Sequence, residues 1–157
     1  EATLHEAMAA LAGLIKENDV IVDVNIPDHL PKVRADRDQL IQVIINLVSN
    51  AIKFCDKSNG RIDVAVSVAD NMLEVSVSDN GKGIPENMSM RIFEKFHQSL
   101  DRDEDKPQGS GLGLAICREI VTFHGGQVWV VNKPEGGAVF SFTVPRADRL
   151  EARLSAE

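Results

Sequence analysis

The 157-residue chain reads as an α/β two-layer sandwich, a mixed sheet of about five strands packed on about three helices. Two observations predict this. Segments with apolar residues at helical spacing are interleaved with segments of strict apolar–polar alternation, and turn residues join the alternating segments into pairs. Hydrophobic residues make up 43% of the chain, enough for one continuous core, and no repeat or low-complexity tract divides it. A single domain over residues 1–157 is therefore expected.

Taken in order, Leu4, Met8, Leu11 and Ile15 share one face of a helix over residues 4–17, and the branched aliphatics over 20–26 read as a strand. Pro27 and Pro31 mark a turn-rich connection, after which Asp36 is placed to cap a long helix ending near Phe54. Over 61–69 Ile62, Val64, Val66 and Val68 alternate with Arg61, Asp63, Ala65 and Ser67, the signature of a strand with one buried face. Asp70 and Asn71 turn the chain, and Leu73, Val75 and Val77 continue the alternation, so an antiparallel hairpin is expected. Residues 80–110 hold few periodic apolar positions and many glycines and charges, which by length alone reads as a functional loop. Leu112, Ala115, Ile116, Glu119, Ile120 and Phe123 then suit a helix closed by Gly125 and Gly126. A second hairpin follows, with strands over 128–131 and 138–144, and the charged tail over 146–157 is expected to fray.

The net charge of −7 argues against a nucleic-acid partner, which would call for a basic stripe, but leaves room for a small phosphate ligand held by local cations and amides. Cys55 and Cys117 form no metal-ligand spacing and read as reduced core thiols. No signal peptide is visible and no apolar run approaches the ~20 residues that cross a bilayer, so a cytoplasmic location is expected for this domain. Whether the parent protein is membrane-bound or soluble is left open.

Several residues carry chemistry. Projecting the long helix at about 100° per residue puts Leu40, Ile41, Ile44, Ile45, Leu47, Val48, Ala51 and Ile52 on an apolar arc, with Asn46, Asn50 and Lys53 opposite. Two amides and an ammonium on one narrow face suit a divalent ion and its phosphates, although a solvated polar face looks the same in sequence. Asp79 shares the parity of Leu73, Val75 and Val77 and should point toward the core, where a carboxylate needs a hydrogen-bond donor such as the amine of adenine. The plainer reading, a strand end capping the following turn, stands beside it. Gly81, Gly83 and Ile84 follow, in a run where glycines let the backbone approach a planar ring. Further on, Gly109, Ser110, Gly111, Leu112, Gly113 and Leu114 lead into a helix, so backbone amides and the positive helix end face the loop. The pattern is neither a P-loop nor a dinucleotide fingerprint, for want of a GK[ST] and of a preceding βαβ strand. Between the two glycine runs, Phe93 and Phe96 can anchor a lid over about 94–110, while Arg91 and Lys95 can reach phosphate oxygens. Ordinary core phenylalanines beside surface charges would present the same residues.

In this order and spacing, QVIINLVSNAIKF, DNGKGIP, IFEKF and GSGLGLAI resemble the asparagine, first glycine, phenylalanine and second glycine boxes of sensor histidine kinases. Flanking VRADRDQL and FHGGQVWV extend the resemblance to nearly the whole chain. It implies the Bergerat ATP-binding fold shared with gyrase-type topoisomerases, heat-shock chaperones and mismatch-repair ATPases. Its cofactors would be ATP and Mg²⁺, with Asn50 as the metal ligand, Asn46 beside it, and Lys53 on the phosphates. Asp79 would read the adenine amine, Gly81 and Gly83 would border the ring, and Gly109 to Gly113 would close over the phosphates. Phe93 and Phe96 would hinge the lid, and Ser141 or Thr143 would place a hydroxyl near the adenine.

Relatives that hydrolyse ATP or phosphorylate serine carry a glutamate base where this helix has Asn46, so slow hydrolysis is expected. The resemblance implies transfer of the γ-phosphoryl group to a histidine on a separate dimerisation domain, for relay to a response regulator receiver domain. The chain lacks an HE[LIF]RTP acceptor motif: His5 and Glu6 are followed by Ala7, Met8, Ala9 and Ala10, and His29, His97 and His124 also lack that context. The acceptor is therefore expected elsewhere in the parent or on another chain, and the isolated domain is expected to be a monomer. The charged run over 101–106 motivates the alternative, a nucleotide-dependent binding module or a catalytically silent regulator.

Overall fold

The computed structural model describes residues 1–94 and 112–148. Helix α1 (Ala2–Glu17) leads into strand β1 (Ile21–Asn25), and helix α2 (Arg37–Phe54) leads into strands β2 (Arg61–Ala69) and β3 (Met72–Asp79). Helix α3 (Gly113–Phe123) then precedes strands β4 (Val128–Asn132) and β5 (Ala138–Pro145). The sheet order is β1-β2-β3-β5-β4, with β1 parallel to β2 and the remaining pairs antiparallel. Among neighbouring strands, β1 and β2 alone follow one another directly across a helix, the crossover a parallel pair requires, whereas α3 links β3 to β4, which are not adjacent in the sheet.

Helix α2 is the centre of the helical layer, packed between α1 and α3. Its start is fixed by Asp36, whose side chain accepts the Gln39 amide at 2.9 Å, as its position in the sequence suggests. The buried face comprises Leu40, Val43, Ile44, Leu47, Val48, Ala51 and Ile52. The expected arc omitted Val43, which is fully buried, and included Ile41 and Ile45, which are half-buried. Helix α3 accounts for Val43: the Cys117 thiol lies 3.8 Å from the Val43 carbonyl, so α2 is covered on its flank as well as on its sheet-facing side. Both Cys55 and Cys117 are buried, free thiols, and burial pushes Cys117 up to about 12.

Residues opposite one another in antiparallel strands share a face. Val64 pairs with Val77 and Val77 with Phe140, while Val66 pairs with Val75 and Val75 with Phe142, and all of these are buried beneath the helices. The segment expected to be one long loop differs from that expectation over its first part. Glu86–Met88 form a 3₁₀ turn, the Ile92 amide bonds the Met88 carbonyl at 3.0 Å, and Met88, Ile92 and Phe93 are buried. Three apolar side chains within six residues anchor this stretch, a spacing too short and irregular to register as periodicity. The start of the tail is also held: Arg146 bridges to Val33, and the Ala147 amide bonds the Lys32 carbonyl at 2.8 Å. Residues 149–157 and most of the expected lid lie outside the described residues, as do His97 and the charged run 101–106. Among the described residues no helix is long and apolar enough to cross a membrane.

Two joints tie α3 down. The His124 ring accepts the Asp36 amide at Nε2, 3.0 Å away, and its Nδ1 lies 2.7 Å from the Ile120 carbonyl, a pair satisfied with the ring proton on Nδ1. Two residues on, a Cβ on Gly126 would stand 1.8 Å from the Thr143 carbonyl oxygen, so the backbone leaving α3 touches β5 where no side chain fits. By contrast, Gly13 in the exposed part of α1 has open space around it. Gly126→Ala is expected to destabilise the fold by about 2 kcal/mol or more. Gly13→Ala should stabilise it by about 1 kcal/mol, and urea unfolding of the two variants measures both.

Candidate functional site

Asp79 ends β3 with the same parity as Val75 and Val77, and only 3% of it is exposed. Burial raises its pKa above the usual carboxylate value. The Gly81 amide, which donates to Oδ1 at 2.8 Å, pulls it back, followed by the Ala138 amide and the nearby Lys133 ammonium. A carboxylate offers about four lone-pair sites, so two amide donors leave acceptor capacity toward a ligand.

The loop leaving Asp79 is gripped on several sides. A Cβ on Gly81 would lie 1.9 Å from the Phe54 carbonyl oxygen, so this glycine rests directly on the end of α2. Gly83 has φ +79, which favours glycine, and Gly137 on the opposing hairpin has φ +93 and would drive a Cβ to 2.0 Å from the Asp79 carbonyl. The Asn80 side chain accepts the Arg61 amide at 3.0 Å and donates to the Asn59 carbonyl at 2.6 Å, clasping the connection between α2 and β2. Asn132 accepts the Ile84 amide at 2.8 Å and donates to the Ile84 carbonyl at 2.5 Å.

On α2, Asn46 is half-buried and its Nδ2 donates to the Gly113 carbonyl at 3.2 Å, joining the middle of the helix to the start of α3. One turn on, the half-buried Asn50 amide has no hydrogen-bond partner among the described residues. Lys53 is exposed, its ammonium 5.3 Å above the Phe54 ring. Helix α3 starts at Gly113 without a side-chain cap, and Leu112 and Leu114 at that start are half-buried. Among the described residues no group of three His, Cys, Asp or Glu side chains could hold a metal, so an ion here would depend on oxygens brought by a ligand.

The structure thus brings Asn46 and Gly113 together, places Asp79 against Gly81, and sets Gly83 and Ile84 beside Asn132. Phe93 packs edge-to-face on Phe140, with centroids 6.1 Å apart, and is itself buried in the core. Arg91 lies 3.8 Å from Glu94 on the surface. Lys95, Phe96, Gly109, Ser110 and Gly111 lie outside the described residues. One expectation is corrected. Ser141 pairs with Ser76 and Trp129, and Thr143 pairs with Glu74, so both hydroxyls face away from Asp79, whose side of β5 presents Ala138, Phe140 and Phe142. Thr143 uses its oxygen to accept the Gln127 amide at 3.0 Å. Asn132, Lys133 and Gly137 escaped the sequence reading because their place in the site follows from pairings between distant strands. The adjacent positive-φ pair at Gly136 and Gly137 was the one local signal.

Comparison with known proteins places these features in a family. Residues 35–148 match the model of the histidine kinase-, DNA gyrase B- and HSP90-like ATPases. The chain is 42% identical over 141 residues to the adaptive-response sensory kinase SasA of Synechococcus sp. (strain CC9902), an alignment covering 89% of the chain and 36% of that protein. The chain thus spans little more than a third of that relative's length. Among solved structures, the catalytic domain of histidine kinase ThkA superposes with a TM-score of 0.79 at 32% identity, covering 92% of each chain. Full-length ShkA in complex with AMPPNP superposes with a TM-score of 0.79 at 31% identity, covering 93% of this chain and 30% of that one.

The charge on Asp79 gives a test independent of any ligand. Because its folded-state pKa is raised, the folded chain holds a proton that the unfolded chain has released between the ordinary carboxylate pKa and the raised one, so the destabilisation grows as pH rises through that window and is complete above it. Asp79→Asn is therefore expected to be more stable than the parent chain at neutral pH, with the difference shrinking as pH falls through the raised pKa. Urea unfolding at a series of pH values measures this, and a difference that does not vary with pH would count against it.

Proposed function

Because the chain belongs to the histidine kinase-, DNA gyrase B- and HSP90-like ATPase family, on its sensor histidine kinase branch, we propose that it binds Mg-ATP for phosphoryl transfer to histidine. The acceptor is a neutral imidazole on a separate dimerisation domain, and the phosphoryl group passes from there to a response regulator. The observation that carries the reading is the buried Asp79 carboxylate, held by two backbone amides with lone pairs to spare beside a glycine-lined loop. A buried anion is costly unless its hydrogen bonds are completed, and the exocyclic amine of adenine is a matching donor.

The other residues divide the remaining work. Gly81, Gly83 and Ile84 present backbone to the face of the purine, and the uncapped start of α3 presents amides to the phosphates together with Gly109, Ser110, Gly111, Leu112, Gly113 and Leu114. Asn50 fits a magnesium ion, since its amide is half-buried and unpartnered among the described residues and a single oxygen suits an ion otherwise ligated by phosphates and water. A magnesium ion held by Asn50 would supply neutralisation of the phosphate charge. Lys53 and Lys95 add cationic charge near the phosphates, and Phe93 and Phe96 hinge the segment between the two glycine runs.

Asn46 stands where a general base would activate water, and an amide has no basicity for that task. This favours retention of ATP until an imidazole arrives in line, after which positioning and charge stabilisation do most of the catalysis.

Calorimetry with Mg-ATP should show binding by the parent chain. Asp79→Ala should weaken it by about tenfold to a hundredfold, the range for a hydrogen bond to a charged group. Asn50→Ala should reduce affinity in the presence of magnesium and have little effect without it. Incubation with radiolabelled ATP and a cognate histidine-bearing helical domain should yield an acid-labile phosphoprotein, whereas brisk hydrolysis by the chain alone would contradict the proposal.

A further inference from the structure

Asn132 lies outside all four sequence boxes, on the last residue of β4, yet both ends of its amide are committed to one residue of the site loop. Its Oδ1 accepts the Ile84 amide at 2.8 Å and its Nδ2 donates to the Ile84 carbonyl at 2.5 Å, so the side chain pairs with that backbone as a neighbouring strand would. Asparagine suits the task because it carries a donor and an acceptor in one short, planar group. Aspartate has no donor, and glutamine is a methylene longer.

The partner of Asn132 in the β4–β5 register is Ala138, and the Ala138 amide is one of the donors to Asp79. One rung of the hairpin thus reaches both sides of the candidate slot, the Asp79 carboxylate through Ala138 and the Gly83–Ile84 backbone through Asn132. Gly137 adds a hard stop, since its Cα rides on the Asp79 carbonyl where a Cβ would stand 2.0 Å away. The loop after Gly81 contains a left-handed Gly83, and while the Ile84 side chain packs on the core, the Asn132 amide holds the Ile84 peptide itself through both its N–H and its carbonyl.

We propose that Asn132 is a positioning residue that sets the separation between Asp79 and the Gly83–Ile84 backbone, and so tunes affinity for the purine ring and not for the phosphates. This rests on the assignment of the slot to adenine made above. An arm that preforms the slot saves the ligand the cost of ordering the loop, so losing it weakens binding without touching the transfer step.

The test compares the parent chain with Asn132→Ala and Asn132→Asp. The aspartate keeps the acceptor for the Ile84 amide and sets a carboxylate against the Ile84 carbonyl. Hydrogen exchange of the nucleotide-free chain should show the Ile84 amide protected in the parent and exchanging faster in Asn132→Ala. In each variant calorimetry should show the Kd for Mg-ATP and the Kd for adenosine rising by one common factor, about five- to tenfold in Asn132→Ala, where both hydrogen bonds are lost. In transfer to a histidine-bearing domain, KM for ATP should rise by that factor with kcat unchanged.

If the parent binds ATP and both variants bind it equally well, or if Ile84 protection is lost with no change in Kd, the positioning role is overturned. It is also overturned if kcat falls with KM unchanged, or if the Tm of the nucleotide-free variants drops enough to account for the weaker binding. Failure of the parent chain itself to bind ATP would remove the functional assignment, a result distinguishable from all of these.

Discussion

The site is organised around the burial of one carboxylate. Asp79 sits at the inner end of β3 almost without solvent, and an anion so placed is tolerable only where donors converge on it. Those donors arrive from different parts of the chain. The Gly81 amide comes from the turn that follows, the Ala138 amide from the first residue of β5, and the Lys133 charge from the hairpin between β4 and β5. Each depends on a register set elsewhere, since Ala138 reaches Asp79 only because Val77 pairs with Phe140 and Val75 with Phe142. A slip of one residue in β5 would turn Phe140 and Phe142 out of the core and withdraw a donor from Asp79 in the same step. The apolar packing of the sheet and the polar geometry of the site are therefore a single constraint.

Close backbone contacts set the remaining dimensions. Gly81 lies on the last carbonyl of α2 and Gly137 on the carbonyl of Asp79, so helix end, strand end and hairpin meet without intervening side chains. Such contacts leave little room for adjustment, because each would require the backbone itself to move. The polar face of α2 differs in character. Asn46 is engaged with Gly113, while the half-buried Asn50 side chain and the exposed Lys53 ammonium, which lies over the Phe54 ring, make no side-chain hydrogen bond among the described residues.

Much of this was legible in the sequence. Strict alternation defined β2 and β3, the parity of Asp79 placed it inward, and the capping role of Asp36 followed from its position ahead of an apolar helical pattern. These are local signals, and they survived because packing reinforced them. What local pattern could not supply was anything that depends on which strands become neighbours. The Val43 contact needs α3 alongside α2, the outward direction of Ser141 and Thr143 needs the β3–β5 register, and the Asn132 clasp spans 48 residues. The buried Met88, Ile92 and Phe93 were missed for a related reason, because a short irregular turn has no period to detect and its anchoring phenylalanine meets Phe140 from a distant strand.

Two of the hydrogen bonds that tie α2 to α3 have a mechanical meaning. Asp36 before the first turn of α2 meets His124 after the last turn of α3, and Asn46 in the middle of α2 meets Gly113 at the first turn of α3, so the helices run in opposite directions with a rung near each end. Sliding either helix along its axis would break both rungs at once, whereas rocking about one rung would break only the other. The pair is thus stiff to shear, and a tilt that opens the Gly113 end while the imidazole end holds would also have to strain the Cys117–Val43 contact between the rungs.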